Sequence, residues 1–444
     1  MTPVTSLILI LLAIVLSVVF GRKHANMGLI ALGLAYLLGC FVLGFRANAL
    51  YALFPAKVIL QFIFISYFYG ILIENGTIQW IAEKASYYAR NTSFLIPIII
   101  FVLCLLLSIA GVPPVSVAAA VAPLFLAVAD KMRLNKLLIL LSIHTGQCAG
   151  CGSPVSGVAI VAKGIMGDTL GADAGLIWNQ FMLNYILVYT IVFILCYLAF
   201  RGWRSGRATE GGAIEDPGAP TGQQVVCIIM AVAAMIFLIV PSLLSTFTDI
   251  AVMKFISSKA DPGFVYLILG IVCMFLRYGD ERTIITRRVP WGLVLVIGGM
   301  AILIGMLGLT GATDYLSNLL VTSVHDRAIA PALAGIGGFL SMFSDSLGAV
   351  IPLLASMIPS IITSNPGLSG ALLLSAACIG TMMTGFAPFS TGGSLLLSFI
   401  GEEERNKYFI LQLISTIVML AVTPDLCASA GADVIPVIAA EAES

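Results

Sequence analysis

Two stretches of the 444-residue chain place hydroxyls, glycines and prolines where an apolar helix would otherwise run: HTGQCAGCGSPVSG at 144–157 and TMMTGFAPFSTGG at 381–393. A helix broken inside a membrane leaves N–H and C=O groups unpaired, which is tolerated only where they line a protein-enclosed cavity or bind a ligand. Ser153, Ser156, Ser390 and Thr391 offer hydroxyls to an anion, with Pro154, Pro388 and Gly392 in the same turns. Two further polar breaks, GVPPVS at 111–116 and SDS at 344–346, each separate two apolar arms and add Ser116, Ser344, Ser346 and the acid Asp345. Half-helices starting near the midplane after Pro114, Pro154, Asp345 and Pro388 would each present free N–H groups and about half a positive charge. Half-helices ending there would offer carbonyl oxygens, which suit Na⁺. The spacing predicts two pseudo-symmetric sites, one from 111–116 with 144–157 and one from 344–346 with 381–393, holding a carboxylate without any Arg at membrane depth.

Asp345, His144, Thr145, Gly150 and Thr384 are the candidates for a coupling ion or proton. An acid at membrane depth is costly and marks function by default, and an imidazole titrates near neutrality. Each has a plain alternative that the sequence leaves open. Asp345 can cap the helix that follows it, His144 can be a satisfied core histidine, and Ser and Thr in apolar helices back-bond to their own turn. Cys148 and Cys151 form a CxxC, but no second pair or His set completes a metal site, so no metal beyond a bound Na⁺ and no cofactor is expected.

These breaks sit in a chain that is 60% hydrophobic and 10% charged, with mean hydropathy +1.07, against about 25% charged residues in a soluble domain. The composition predicts an all-α integral membrane protein. Lys+Arg and Asp+Glu balance at 22 each, and there is no basic arm to track phosphates, which argues against a nucleic-acid partner. Residues 3–20 lack a basic leader region and a small-residue cleavage site and read as a retained span. Further spans are predicted at 27–45, 56–73, 137–163, 176–200, 224–243, 263–276, 290–308, 370–400 and 407–425, about 20 residues being needed to cross the hydrocarbon. Residues 93–129 and 328–362 read instead as re-entrant hairpins whose second arms, about 13 to 16 residues, would reach mid-membrane.

The polar stretch 201–223 reads as a linker between residues 1–200 and 224–444, and the two halves repeat one another. GILIENGTIQWIA from Gly70 aligns with GMLGLTGATDYLS from Gly305, Arg46 with Arg277, and SPVSG at 153–157 with APFST at 387–391. Five spans plus a hairpin in each half make the repeats inverted, the pattern of a carrier and rarely of an enzyme. With both termini outside, 16 of the 22 Lys and Arg fall on the cytoplasmic side, as the positive-inside rule requires of a multi-pass cell-membrane protein.

ENGTIQWIAE at 74–83, IHTGQCAGCGSPVSG at 143–157 and FAPFSTGGSLLL at 386–397 resemble, in order and in repeat position, the MatC-type malonate/dicarboxylate carriers of the ion-transporter superfamily that includes the divalent anion:sodium symporters. The resemblance covers nearly the whole chain. It implies a homodimer with a scaffold and a moving transport domain, carrying di- or tricarboxylates with Na⁺ or H⁺ by an elevator-like motion. Ser344-Asp345-Ser346 is similar to the superfamily's Ser-Asn-Thr tip, with Asp in place of Asn, whereas Pro114-Val115-Ser116 lacks the Asn. The sequence therefore points to a secondary active symporter of a small organic anion, a dicarboxylate such as malonate or a C4 acid. A cation/proton antiporter on the same fold stands as the alternative through Asp345. A channel or a membrane enzyme fits less well, since the three His (His24, His144, His325) compose no catalytic dyad or metal set.

Overall fold

The computed structural model describes residues 2–21, 25–89, 92–166, 174–204, 216–247 and 250–432. The middle of the expected linker, 205–215, lies outside the described residues, as do Arg22, Lys23, Arg90 and Arg207 of the charge count. Every regular element described is helical. The chain passes through α1 (Pro3–Gly21), α2 (Met27–Tyr36, prolonged by a π-turn at Leu37–Val42), α3 (Ala47–Ala52), α4 (Ala56–Glu74), α5 (Thr77–Ala89), α6 (Ile96–Ile109), α7 (Pro114–Met132), α8 (Lys136–Ala149), α9 (Gly157–Met166) and α10 (Ala174–Ala199). It continues through α11 (Gly222–Phe247), α12 (Ala251–Lys259), α13 (Pro262–Phe275), α14 (Glu281–Thr283), α15 (Trp291–Leu309), α16 (Ala312–Ser323), α17 (Asp326–Ser341), α18 (Ile351–Ser364, entered by a π-turn at Ser346–Val350), α19 (Gly370–Met383), α20 (Thr391–Ser398) and α21 (Glu402–Ala432). Among the described residues nine helices are long and apolar enough to cross a membrane, or ten if α12 and α13, bent by 79°, count as one span. The protein is an all-helical, multi-pass membrane protein.

Local chemistry sets the boundaries. Asn26 caps α2 through Gly28 N at 2.8 Å and Asp261 caps α13 through Phe264 N at 3.2 Å, while Asn135 and Ser369 cap α8 and α19. In the turn between α4 and α5, Asn75 Oδ1 accepts from Thr77 N at 3.0 Å and from the Thr77 hydroxyl at 2.5 Å, and Gly76 takes φ +74°. Gly311 takes φ +70° at the matching place between α15 and α16, a left-handed conformation that a side chain would strain.

The same order of elements recurs in packing. α8 lies on α6 and α19 on α17. Both crossings run through a glycine: a methyl on Gly146 would sit 2.4 Å from Phe101 O, and one on Gly380 would sit 2.2 Å from Ala334 O. In lipid, where no hydrophobic force gathers helices, such close backbone approach is what holds them. Other contacts cross between the halves. α2 packs on α15 and α13 on α4; α20 packs on α7 and α9 on α18. At corresponding places, Asn26 Nδ2 donates to Gly292 O at 2.9 Å and Gln61 Nε2 to Asp261 Oδ2 at 2.6 Å.

Two expectations change. The second hairpin arms are longer than 13 to 16 residues: α7 has 19, and the helical run Ser346–Ser364 also has 19, about 28 Å each. α7 continues through Asp130 and Lys131, where the apolar run had ended, and stops at Arg133 with φ +52°. The second arm continues because α16 partners its late hydroxyls, Ser360 with Asp314 at 2.6 Å and Ser364 with Asn318 at 3.4 Å. α12 was not anticipated. It exposes Val252 and Phe255 beside Lys254 and Lys259, an interfacial pattern too short and polar to read as a span.

Gly380→Val should lower stability by at least about 1–3 kcal/mol, the usual cost of overpacking. Gly308→Val, at a glycine with nothing within 4 Å of an added carbon, should not. Thermal unfolding of the two detergent-purified variants distinguishes them, and equal melting temperatures would refute the close-crossing account.

Candidate functional site

Pro114 opens α7 after Pro113, and no side chain caps the start of this helix. The first orphan N–H available is that of Val115, since proline has none. The tip is fixed from outside the hairpin. The Tyr69 hydroxyl on α4 and the Tyr266 hydroxyl on α13, the latter at 2.5 Å, both donate to Ala110 O.

The second tip is built differently. Asp345 caps its own arm, Oδ1 accepting from Gly348 N at 2.6 Å, and Oδ2 accepts from the Thr391 hydroxyl at 3.1 Å at the start of α20. A carboxylate therefore already neutralises this helix start and ties it to the neighbouring one. Ser390 caps α20: its Oγ accepts from Gly393 N at 3.0 Å and donates back to Gly385 O at 2.5 Å and Ala387 O at 2.8 Å.

The two tips and α20 meet around one cavity of about 580 Å³. Ser116, His144, Ser344, Asp345, Ser346, Ser390, Thr391 and Gly392 line it. Where the sequence predicts two separate sites, the exchange of α20 onto α7 brings the first tip, the second tip and the second break to a single space. Its other walls include Asn26 and Met27 at the start of α2, Pro290 and Gly292 at the start of α15, and the side chains of Phe343 and Phe389. Among the described residues no Lys or Arg lines it, and Asp345 is the one acid. Two buried polar atoms in its wall, Ser344 Oγ and Gln147 Oε1, have no hydrogen-bond partner among the described residues. Such atoms are costly unless a ligand or water meets them.

The remaining sequence candidates lie elsewhere. The Ser153 hydroxyl donates to Ile109 O at 2.7 Å, and Ser156 Oγ bonds Cys151 O and accepts from Ala159 N at 3.2 Å, capping α9. Thr145 back-bonds to Leu141 O at 2.7 Å, and Thr384 bonds Gly338 O on α17 at 2.7 Å. Gly150 packs on Ser108 and Ile109. Pro154 lines a smaller pocket described below, and Pro388 lines neither. His144 Nε2 lies 3.1 Å from Met383 O, so this nitrogen carries the proton, and the ring packs on Phe386. Cys148 and Cys151 are buried free thiols, and no group of three His, Cys, Asp or Glu able to hold a metal occurs among the described residues.

Sequence reasoning missed Gln147, Asn26 and the two phenylalanines. Gln147 was legible as a lone amide inside an apolar run; the others enter the wall only through contacts between the halves. Asp345→Ala should destabilise the protein by about 1 kcal/mol through loss of the cap, whereas Asp345→Asn, which can still cap, should melt within a degree or two of the wild type. Equal losses in both would mean that the charge, not the cap, holds the tip.

Residues 1–151 match the family model described as the N-terminus of the dicarboxylate carrier protein MatC. Two curated proteins, uncharacterised transporters of Mycobacterium bovis and Mycobacterium tuberculosis, are each 24% identical over 308 residues, which is 65% of this chain and 64% of theirs. The match thus spans just under two thirds of those relatives' length. The crystal structure of the Alcanivorax borkumensis YdaH transporter, described as revealing an unusual topology, superposes with a TM-score of 0.57 at 16% identity, over 94% of this chain and 98% of that one. The chain therefore has the fold of that structure and, over residues 1–151, the sequence pattern of the MatC dicarboxylate carrier family.

Proposed function

We propose that the chain is a secondary active carrier of a small organic anion, a dicarboxylate such as malonate or a C4 acid, coupled to Na⁺ or H⁺. The observation that carries the reading is the difference between the two tips that share one cavity. The uncapped start of α7 leaves the Val115 N–H and the helix dipole for a carboxylate, Ser116 N and Val117 N being bonded to Pro113 O, while the start of the second arm is already neutralised by Asp345. Asp345 and the carbonyl ends of the broken helices then supply the oxygens for a cation or proton. A substrate bridging α7 and α20 would lie beside Ser344 and Gln147, whose Oγ and Oε1 are buried without a partner among the described residues. Phe343 and Phe389, stacked with centroids 6.1 Å apart, would cover its carbon chain.

Residues 1–200 and 224–444 act in this reading as inverted repeats, joined by a cytoplasmic linker at 201–223 with both termini outside. The recurring element order and the exchanged packing of α2 on α15 and α13 on α4 support it. The family match supports carriage in place of catalysis, and in this reading the hairpins and broken helices move elevator-like within a homodimer. A cation/proton antiporter is the second reading, favoured by one feature: among the described residues the cavity wall has one carboxylate and no Lys or Arg.

Uptake of labelled malonate and succinate into proteoliposomes, under an inward Na⁺ gradient and separately under an inward proton gradient without Na⁺, tests the proposal. Accumulation driven by either gradient is the expected result. Failure of both acids under both gradients, with folded protein, would refute the anion reading in favour of cation exchange at Asp345. Asp345→Asn should cut uptake by about tenfold or more through loss of a buried charged partner, and Ser390→Ala by about severalfold through loss of the neutral bonds that hold the start of α20. Wild-type rates in both variants would remove the second tip and α20 from the site.

A further inference from the structure

A second pocket, of about 240 Å³, opens at the other end of the molecule's central helices. Glu74 at the end of α4 pairs with Arg288 Nη2 at 2.7 Å just ahead of α15, while Gly305 near the end of α15 packs on Leu53 just ahead of α4. The two helices run antiparallel, so their starts lie at opposite ends. The main cavity is bounded by the starts of α15 and α2. The second pocket is bounded by the starts of α4 and α13 and by Pro154 of the first break, the corresponding elements with the halves exchanged.

The shapes correspond but the charges do not. Lys57 stands at the start of α4 where Gly292 stands at the start of α15, and Lys163 and Lys259 bring two more amines. Among the described residues the single carboxylate there, Asp261, is engaged, Oδ1 capping Phe264 N at 3.2 Å and Oδ2 accepting from Gln61 at 2.6 Å. None of the three lysines forms an ion pair among the described residues; Lys163 Nζ lies over the Trp178 ring, 5.1 Å from its centroid. Ammonium groups gathered on a concave surface raise the local concentration of anions.

We propose that Lys57, Lys163 and Lys259 form a capture site for small carboxylates at this end, filled before the central cavity opens to that side. The proposal rests on the carrier reading for its role, and on the pocket alone for its chemistry. In the orientation with both termini outside, this end faces the exterior. The wide main cavity then corresponds to the inward-facing state, and the lysine pocket to the closed outer vestibule.

The test has two arms, both on the full chain. In detergent, malonate is added during acylation by an amine reagent, and each lysine is read by peptide mass spectrometry. Malonate at millimolar concentration should slow acylation of the three lysines on the order of threefold or more, with exposed Lys254 and Lys407 unchanged. In cells, the combined variant Lys57→Gln, Lys163→Gln, Lys259→Gln should raise the KM for uptake from outside by about tenfold and leave the maximal rates of uptake and of efflux unchanged. Equal acylation with and without malonate overturns the capture site whether or not the protein transports anything. Protection by phosphatidylglycerol vesicles but not by malonate also overturns it, assigning the pocket to lipid. If malonate protects the lysines while the wild-type protein moves no dicarboxylate, the carrier reading fails and the binding site stands.

Discussion

Backbone groups exposed where a helix breaks inside the bilayer must find partners, and the rest of this structure follows from how they do. Ser153 reaches Ile109 O, Ser156 caps α9, Thr384 reaches Gly338 O and Ser390 caps α20 while bonding the carbonyls behind it. These hydroxyls make two breaks affordable at membrane depth. The same bonds tie each broken helix to the hairpin beside it, so that tips and breaks form one body. Left over at the main cavity, among the described residues, are the uncapped start of α7, the hydroxyl of Ser344 and the amide oxygen of Gln147.

The fold was largely legible because its determinants are local. Proline and glycine at 111–114 and 385–388, and the paired motifs of the two halves, place the tips and breaks where the structure has them. Arm lengths were misjudged because α7 runs on through Asp130 and Lys131 and because α16 supplies partners for Ser360 and Ser364, neither of which apolarity alone can signal. The site was less legible. Whether two breaks make two sites or one depends on which half each helix packs against, and α20 lying on α7 is a contact between residues far apart in sequence. Serine also carries no mark of its use: Ser116 and Ser344 line the cavity, whereas Ser153 and Ser156 serve the backbone.

The two halves are alike in backbone and unlike in charge. One tip presents a bare helix start and the other a helix start with its own acid; among the described residues one end cavity has no Lys or Arg and the other has three lysines. The two ends therefore differ in charge within a similar helical frame. Tyr69 and Tyr266, on α4 and α13, both hold Ala110 O at the first tip, so any motion of that hairpin against those helices must first release these bonds.

The central claim is that one substrate is held between the start of α7 and the start of α20. A cryo-electron-microscopy structure of the protein with malonate tests it most directly. The account predicts density for the acid in the main cavity, with one carboxylate at Val115–Ser116 and the other near Thr391–Gly392. Density on the first break at 153–156, away from α20, would contradict it and restore two separate sites.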